Sequence, residues 1–227
     1  MIVSPRHRFV FLKVPKTAGT SVEVFLSRAS GPDAVVTPVH PPVEGHEPRN
    51  WRGLFDPLPE LLRRRCQRPF RPLEDLFHRR RYYNHMPAVA ARNRLPRRLW
   101  EESLVWCVER NPWDKVVSHY WMERERSEPD LAFDAYLERG DFPRASCLYT
   151  DHDGSVLADR ILRWERLEEE LSELMSELGV PFDGLEARAK SGHRPADRPY
   201  RDHYDGRGRE IVARAYRRQI ELTGHEF

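Results

Sequence analysis

The stretch Phe9-Val10-Phe11-Leu12-Lys13-Val14-Pro15-Lys16-Thr17-Ala18-Gly19-Thr20-Ser21-Val22-Glu23-Val24-Phe25-Leu26 decides the fold. Its first four residues are a short apolar run. Small, hydroxylated and basic residues follow, and Ser21 to Leu26 reads as a helix that ends before Gly31-Pro32. Strand, phosphate-sized loop and helix in this order open an α/β fold. A second unit repeats the order. Leu104-Val105-Trp106-Cys107-Val108 has the character of a buried strand, and Pro112 fits the first turn of a helix carrying Val116, Val117, Tyr120 and Trp121 on one side. The expectation is a single domain over residues 1–227 with a P-loop-like, three-layer α/β fold: a central, mainly parallel sheet flanked by helices.

The loop after Leu12 carries the chemistry. Backbone N–H groups at the start of a helix converge on an anion, and Gly19 permits a tight turn and a close approach. Lys16 adds a mobile positive charge, while Thr17, Thr20 and Ser21 add hydroxyl donors. The order of residues is not GxxxxGK[ST], so ordinary ATP or GTP hydrolysis is the less attractive reading. Arg110 lies just past the second strand, where ligands of open α/β sheets collect. Its fork suits a terminal phosphate, and Ser118, two helical turns on, offers a hydroxyl to another oxygen.

The remaining chain is plainer. Residues 38 to 59 hold Pro38, Pro41, Pro42, Pro48, Pro57 and Pro59 and read as a long irregular excursion, with the insertion or cleft cover extending to about residue 80. A helix is expected from Pro87 to Asn93, a hairpin around Asp151-His152-Asp153-Gly154, and a short strand at Ile161-Leu162. Leu167, Leu171, Leu174, Met175 and Leu178 recur at helical spacing, as do Ile211, Val212, Ala215, Tyr216 and Ile220. Lys and Arg total 38 against 36 Asp and Glu, which argues against a bulk nucleic-acid binder. Arg63, Arg64, Arg65 and Arg79, Arg80, Arg81 nevertheless cluster, either along an anionic groove or on a solvated surface. No apolar stretch reaches membrane-spanning length and no room precedes Phe9 for a signal peptide, so a soluble cytoplasmic protein is expected. Cys66, Cys107 and Cys147 are too few and too far apart for a disulfide scaffold or a zinc site.

The segments Phe11 to Ser21 and Val108-Glu109-Arg110-Asn111-Pro112-Trp113-Asp114-Lys115-Val116-Val117-Ser118-His119-Tyr120 together resemble the two nucleotide elements of the sulfotransferases that use 3'-phosphoadenosine 5'-phosphosulfate, above all the branch with heparan sulfate 2-O-sulfotransferase. Both occur in that family's order and strand-to-helix context. A weaker resemblance runs through Arg163-Trp164-Glu165-Arg166-Leu167 and Ile220 to Phe227. It implies that Lys13, Pro15, Lys16, Thr17, Ala18, Gly19, Thr20 and Ser21 form the 5'-phosphosulfate loop, with Lys16 at the transferring group. It further implies that Arg110 and Ser118 hold the 3'-phosphate, and that Lys190, Ser191 and Gly192, helped by Arg194, close over it.

Sulfuryl transfer to an alcohol needs a base, and a neutral histidine suits that task near pH 7. His85, in Tyr82-Tyr83-Asn84-His85-Met86-Pro87, holds the position of the base histidine in the resembling branch. His119, His40 and His46 are rivals, and Glu23 reads as structural. Neither phosphate motif is read as carrying an attached carboxylate, so no metal is expected. The acceptor is expected to be a hydroxyl of a carbohydrate or small metabolite, with Trp51, Phe55, Tyr82 and Tyr83 either stacking on it or forming a second core layer. The resembling enzymes are membrane-held, and the lack of an anchor here puts a matrix polysaccharide in doubt. A magnesium-dependent nucleotide phosphotransferase and a noncatalytic nucleotide-binding regulatory protein are the alternatives; the oligomeric state is not legible.

Overall fold

The structure, a computed structural model, describes residues 1–62, 70–143, 145–185 and 198–227. Five strands form one sheet: β1 (Ile2–Ser4), β2 (Phe9–Leu12), β3 (Val35–Val36), β4 (Leu104–Glu109) and β5 (Arg160–Arg163), in the spatial order β3-β1-β2-β4-β5. β2, β4 and β5 are parallel, and β1 pairs antiparallel with both β2 and β3. In chain order the helices are α1 (Gly19–Ala29), α2 (Leu58–Leu61), α3 (Arg71–Phe77), α4 (Ala88–Arg94), α5 (Arg97–Glu101), α6 (Pro112–Arg126), α7 (Phe133–Arg139), α8 (Leu167–Glu177), α9 (Gly206–Ala215) and α10 (Arg217–Thr223).

Side chains alternate across a strand, and both faces of this sheet are covered, so β2 and, as far as Val108, β4 are apolar. Phe9, Phe11, Trp106 and Val108 pack with Val22 and Leu26 of α1 and Leu167, Leu171 and Leu174 of α8. Val10, Leu12, Val105 and Cys107 face the other way, onto Tyr82, Met86 and the alanines of α4. A third cluster joins α6, α7 and α9 around Trp113, Tyr120, Tyr136 and Val212. The α/β architecture with a parallel centre and flanking helices is therefore as expected.

Several elements differ from expectation. β1 and β3 hold only 3 and 2 residues, too short for a periodic signal, yet β1 lies between β2 and β3. The last helix is two: Tyr216 leaves helical geometry at φ −107°, its ring buried and its hydroxyl donating to the Pro143 carbonyl. The hairpin is present where expected, though short: Thr150 bridges antiparallel to Val156, the Asp151 amide donates to the Ser155 carbonyl and the Leu157 amide to the Tyr149 carbonyl. Within the excursion, Val36 bridges to Arg49, whose guanidinium donates to the Ser27 and Gly31 carbonyls.

Candidate functional site

β2 and β4 are adjacent and parallel, with Leu12 opposite Cys107, so the segments that follow them leave the same edge of the sheet. That edge, at the carboxyl ends of parallel strands, is where open α/β folds bind ligands. Lys16 (φ 65°) and Ala18 (φ 57°), neither a glycine, adopt left-handed backbone there. Such conformations cost about 1–3 kcal/mol each, and combined with right-handed neighbours they turn successive N–H groups into an anion-binding concavity. The Thr17 hydroxyl donates to the Val14 carbonyl at 3.0 Å and pins the turn. Thr20 and Ser21 are buried in the first turn of α1, whose leading N–H groups have no partner within the helix.

Gly19 does not make the turn; it provides the close approach. A Cβ there would lie 2.8 Å from Lys13 Cγ, and Lys13 is locked, 5% exposed with its ammonium 2.5 Å from Glu23 Oε2. The Met1 amine also donates to Glu23, whose carboxyl is held below its ordinary value: burial opposes ionisation, but the two cations outweigh it. Lys13 thus contributes its carbonyl and its backbone to the site, with its side chain turned inward. Overpacking costs about 1–3 kcal/mol, against roughly 1 kcal/mol that alanine gains over glycine in a helix. Gly19→Ala is therefore expected to lower the denaturant midpoint, and an unchanged or raised midpoint would contradict this packing.

The second element meets the first directly. Arg110 donates to the Lys16 carbonyl at 3.4 Å, and to Asp114 Oδ2 from Nε at 2.8 Å and from NH2 at 2.7 Å. Its guanidinium lies 3.8 Å over the ring of Trp164, which stacking favours. The helix that follows is well started, with Asn111 accepting from the Trp113 amide and Pro112 in the first turn. On α6, Asp114, Ser118 and Met122 stand in one row at four-residue spacing. Asp114 touches Arg110 and Met122 Sδ lies 3.5 Å from Lys16 Nζ, so half-buried Ser118, between them, faces the same loop.

His85 is the third component. It too has left-handed backbone (φ 54°), and its Nδ1 lies 3.0 Å from the Lys13 carbonyl. A carbonyl oxygen only accepts, so Nδ1 carries the hydrogen and Nε2 keeps its lone pair. Burial, then the Lys13 charge, lowers the imidazole to about 4, so it is neutral at pH 7. His119 is also lowered to about 4, by burial and then by Lys16, but its Nδ1 is engaged with the Tyr136 hydroxyl at 2.8 Å. His46 is buried 4.0 Å from Glu23, behind the loop.

Other expectations change. Two carboxylates do sit in the second motif, contrary to the reading that none is attached: Asp114 is held by Arg110, and Glu109, fully buried, by Lys115. Tyr82 belongs to the core. Tyr83 and Phe55 lie 5.4 and 3.8 Å from the buried Arg94 guanidinium, and Trp51 packs on the core under Arg52. Lys190, Ser191, Gly192 and Arg194 lie outside the described residues, as do Arg63, Arg64 and Arg65.

Sequence reasoning missed the supports of Arg110. Besides Asp114 and Trp164, Gln219 donates to the Arg110 carbonyl at 2.8 Å and receives from Lys115 at 3.3 Å. Glu165 accepts from the Asn111 amide at 2.7 Å and lies 3.3 Å from His225 Nε2. Against burial, His225 and the Asn111 amide hold Glu165 at about 2. The signal available was the weaker resemblance around Trp164-Glu165 and the last eight residues; both segments converge on the β4–α6 junction.

No protein-family profile matches the chain. An uncharacterized protein of Archaeoglobus fulgidus is 35% identical to it over 125 residues, a match that takes in 51% of this chain and 98% of that relative. Among the described residues, no three His, Cys, Asp or Glu side chains are grouped to hold a metal ion, and no helix is long and apolar enough to cross a membrane.

Proposed function

We propose that this chain, which belongs to one family with the Archaeoglobus protein, is a sulfotransferase that moves a sulfuryl group from 3'-phosphoadenosine 5'-phosphosulfate to a hydroxyl of a carbohydrate or small metabolite. The observation that carries the reading is the bond from Arg110 to the Lys16 carbonyl, which joins the two phosphate-type elements at the ends of adjacent parallel strands while His85 is tied to the first residue of the same loop. In this reading β2, the loop and α1 form a P-loop-like unit within a single sulfotransferase domain.

The left-handed turn at Lys16 and Ala18 and the start of α1 would hold the 5'-phosphosulfate end. Arg110, stacked on Trp164 and steadied by Asp114, would hold the 3'-phosphate with Ser118. His85 Nε2 takes the proton of the acceptor hydroxyl as the acceptor oxygen bonds to sulfur and the bond from sulfur to the phosphate oxygen breaks. Lys16 meets the charge that grows on that departing oxygen, where electrostatic help has most leverage. The scheme requires no metal, because Lys16 and Arg110 supply the positive charge.

The test is calorimetric titration of 3'-phosphoadenosine 5'-phosphate, without metal, into the wild type and the Lys16→Ala and Arg110→Ala variants. A charge-assisted bond contributes about 1.5–3 kcal/mol, so each variant is expected to bind about 10- to 100-fold more weakly. Failure of the folded wild type to bind would discard the reading, and binding of a nucleoside triphosphate only with magnesium would replace it with phosphoryl transfer.

A further inference from the structure

The turn that leaves β5 and the segment that follows α10 meet at one backbone position, Asn111. β5 runs parallel to β4 with Arg163 opposite Glu109, so the 3-10 turn Trp164–Arg166 opens beside Arg110. Its first two residues reach different parts of the same element. The Trp164 ring lies 3.8 Å from the Arg110 guanidinium, and Glu165 Oε1 accepts from the Asn111 amide at 2.7 Å. The side chain of Arg110 and the main chain that follows it are thus held by neighbours in one turn.

The segment after α10 closes this arrangement from the other side. His225 is buried, with Nε2 3.3 Å from Glu165 Oε2 and Nδ1 2.6 Å from the Thr223 hydroxyl. A carboxylate oxygen only accepts, so Nε2 carries a hydrogen toward Glu165. The Glu226 carbonyl accepts from Asn111 Nδ2 at 2.7 Å, and the Thr223 carbonyl accepts from Arg163 at 2.6 Å. The Phe227 ring meets Trp113 edge-on, with 5.6 Å between centroids.

Starting α6 does not call for these bonds, since the Asn111 side-chain oxygen and Pro112 already do that. What the bonds from Glu165 and Glu226 add is a fixed direction for Arg110 as it leaves β4. A guanidinium fork reads a phosphate only in the right place and plane, and one already set there loses little rotamer freedom on binding.

We propose that Glu165, latched by His225, is a positioning residue that sets the Arg110 fork for a 3'-phosphate and so gives the site its preference among nucleotides. This rests on the sulfuryl-transfer reading for the identity of the ligand, and goes beyond it in assigning the preference to a residue that stands behind Arg110. Calorimetric titration of adenosine 5'-phosphate and of 3'-phosphoadenosine 5'-phosphate into each variant gives the ratio of their affinities. The wild type is expected to prefer the bisphosphate by about 10- to 100-fold, the contribution of a charge-assisted bond, and Arg110→Ala to abolish the preference. Glu165→Ala should cut the ratio by about tenfold while affinity for adenosine 5'-phosphate stays within about twofold. Glu165→Gln, which retains an acceptor for the Asn111 amide, should recover most of the ratio. The Glu165 side chain is 37% exposed, so its replacement leaves no buried charge and the variant is expected to fold. His225→Asn provides a second variant: it keeps a partner for Thr223, ends short of Glu165, and should lower the ratio by less than Glu165→Ala. Denaturant midpoints accompany each titration. A lowered midpoint with an unchanged ratio would mean that the latch only holds the fold, and overturns the proposal, as does an equal fall for both nucleotides. A wild type with no preference for the bisphosphate discards the sulfuryl reading and this proposal with it, whereas a wild-type preference that survives Glu165→Ala removes this proposal alone.

Discussion

Replacing His85 with asparagine is expected to lower turnover by about 10²–10⁴-fold, the range for loss of a general base, with little change in nucleotide affinity. Asparagine is the informative substitution because it tolerates the left-handed backbone of this position and places an amide where Nδ1 now meets the Lys13 carbonyl. The shape of the loop is thereby kept and the proton acceptor removed. Because burial and Lys13 lower His85 to about 4, kcat/KM for the nucleotide should stay level from neutral pH down to about pH 5 and break near pH 4. A break near the ordinary histidine value of about 6.5 would mean that a solvated histidine is the base. His119 has the same lowered value, so His119→Gln is the control: its Nδ1 meets the Tyr136 hydroxyl and its Nε2 lies 3.7 Å from a Glu123 carboxylate oxygen, so its loss should cost far less turnover.

The same shift governs stability. Between about 4 and 6.5 the unfolded chain binds the proton that folded His85 refuses, so stability falls as pH drops through that window and is unaffected above it. His119 acts in the same direction. In His85→Asn one of these two contributions is gone, and the variant should lose less stability than the wild type between pH 6.5 and 4. Unfolding midpoints at the two ends of the window measure the difference.

What the sequence made legible was long or chemically loud. β2 and β4 are buried on both faces and stand out as unbroken apolar runs, and Pro112 after Asn111 marks the start of α6 as cap chemistry requires. β1 and β3 were hidden because so few residues carry no period. The turn at the site was misassigned for a physical reason: glycine is the usual left-handed residue, but here Lys16 and Ala18 adopt that backbone and Gly19 admits the Lys13 side chain. The aromatics around Tyr82 read either as a cleft lining or as a second core layer, because sequence does not reveal that Phe55 and Tyr83 gather on the buried Arg94 guanidinium while the Tyr82 hydroxyl donates to the Arg94 carbonyl. Helices such as α2 and α3, with Glu60 and Asp75 buried and Leu58, Leu73 and Phe77 exposed, defeat periodicity altogether, since the stripe that normally marks the core points outward.

Lys115→Met is expected to destabilise the protein by about 3–5 kcal/mol, roughly 10 °C for a chain of this size, although Lys115 lies beneath the site. Its ammonium donates to Glu109, both side chains are fully buried, and Gln219 links the pair to the Arg110 carbonyl. Burial pushes the Glu109 carboxyl up even with Lys115 beside it; without that ammonium the carboxyl must fold either charged and unpaired or protonated. With the folded value raised above the unfolded one, the folded state binds the extra proton, so the variant's deficit should shrink in acid and grow as pH rises through the raised value. Removing both charges is different from removing one: in Glu109→Leu/Lys115→Met no buried charge is left, and most of the lost stability should return. Nucleotide affinity should fall in the single variant through Gln219 and Arg110. A single variant within 1 kcal/mol of wild type in denaturant unfolding, or a double variant no better than the single, would show that the pair does not hold Arg110 in place.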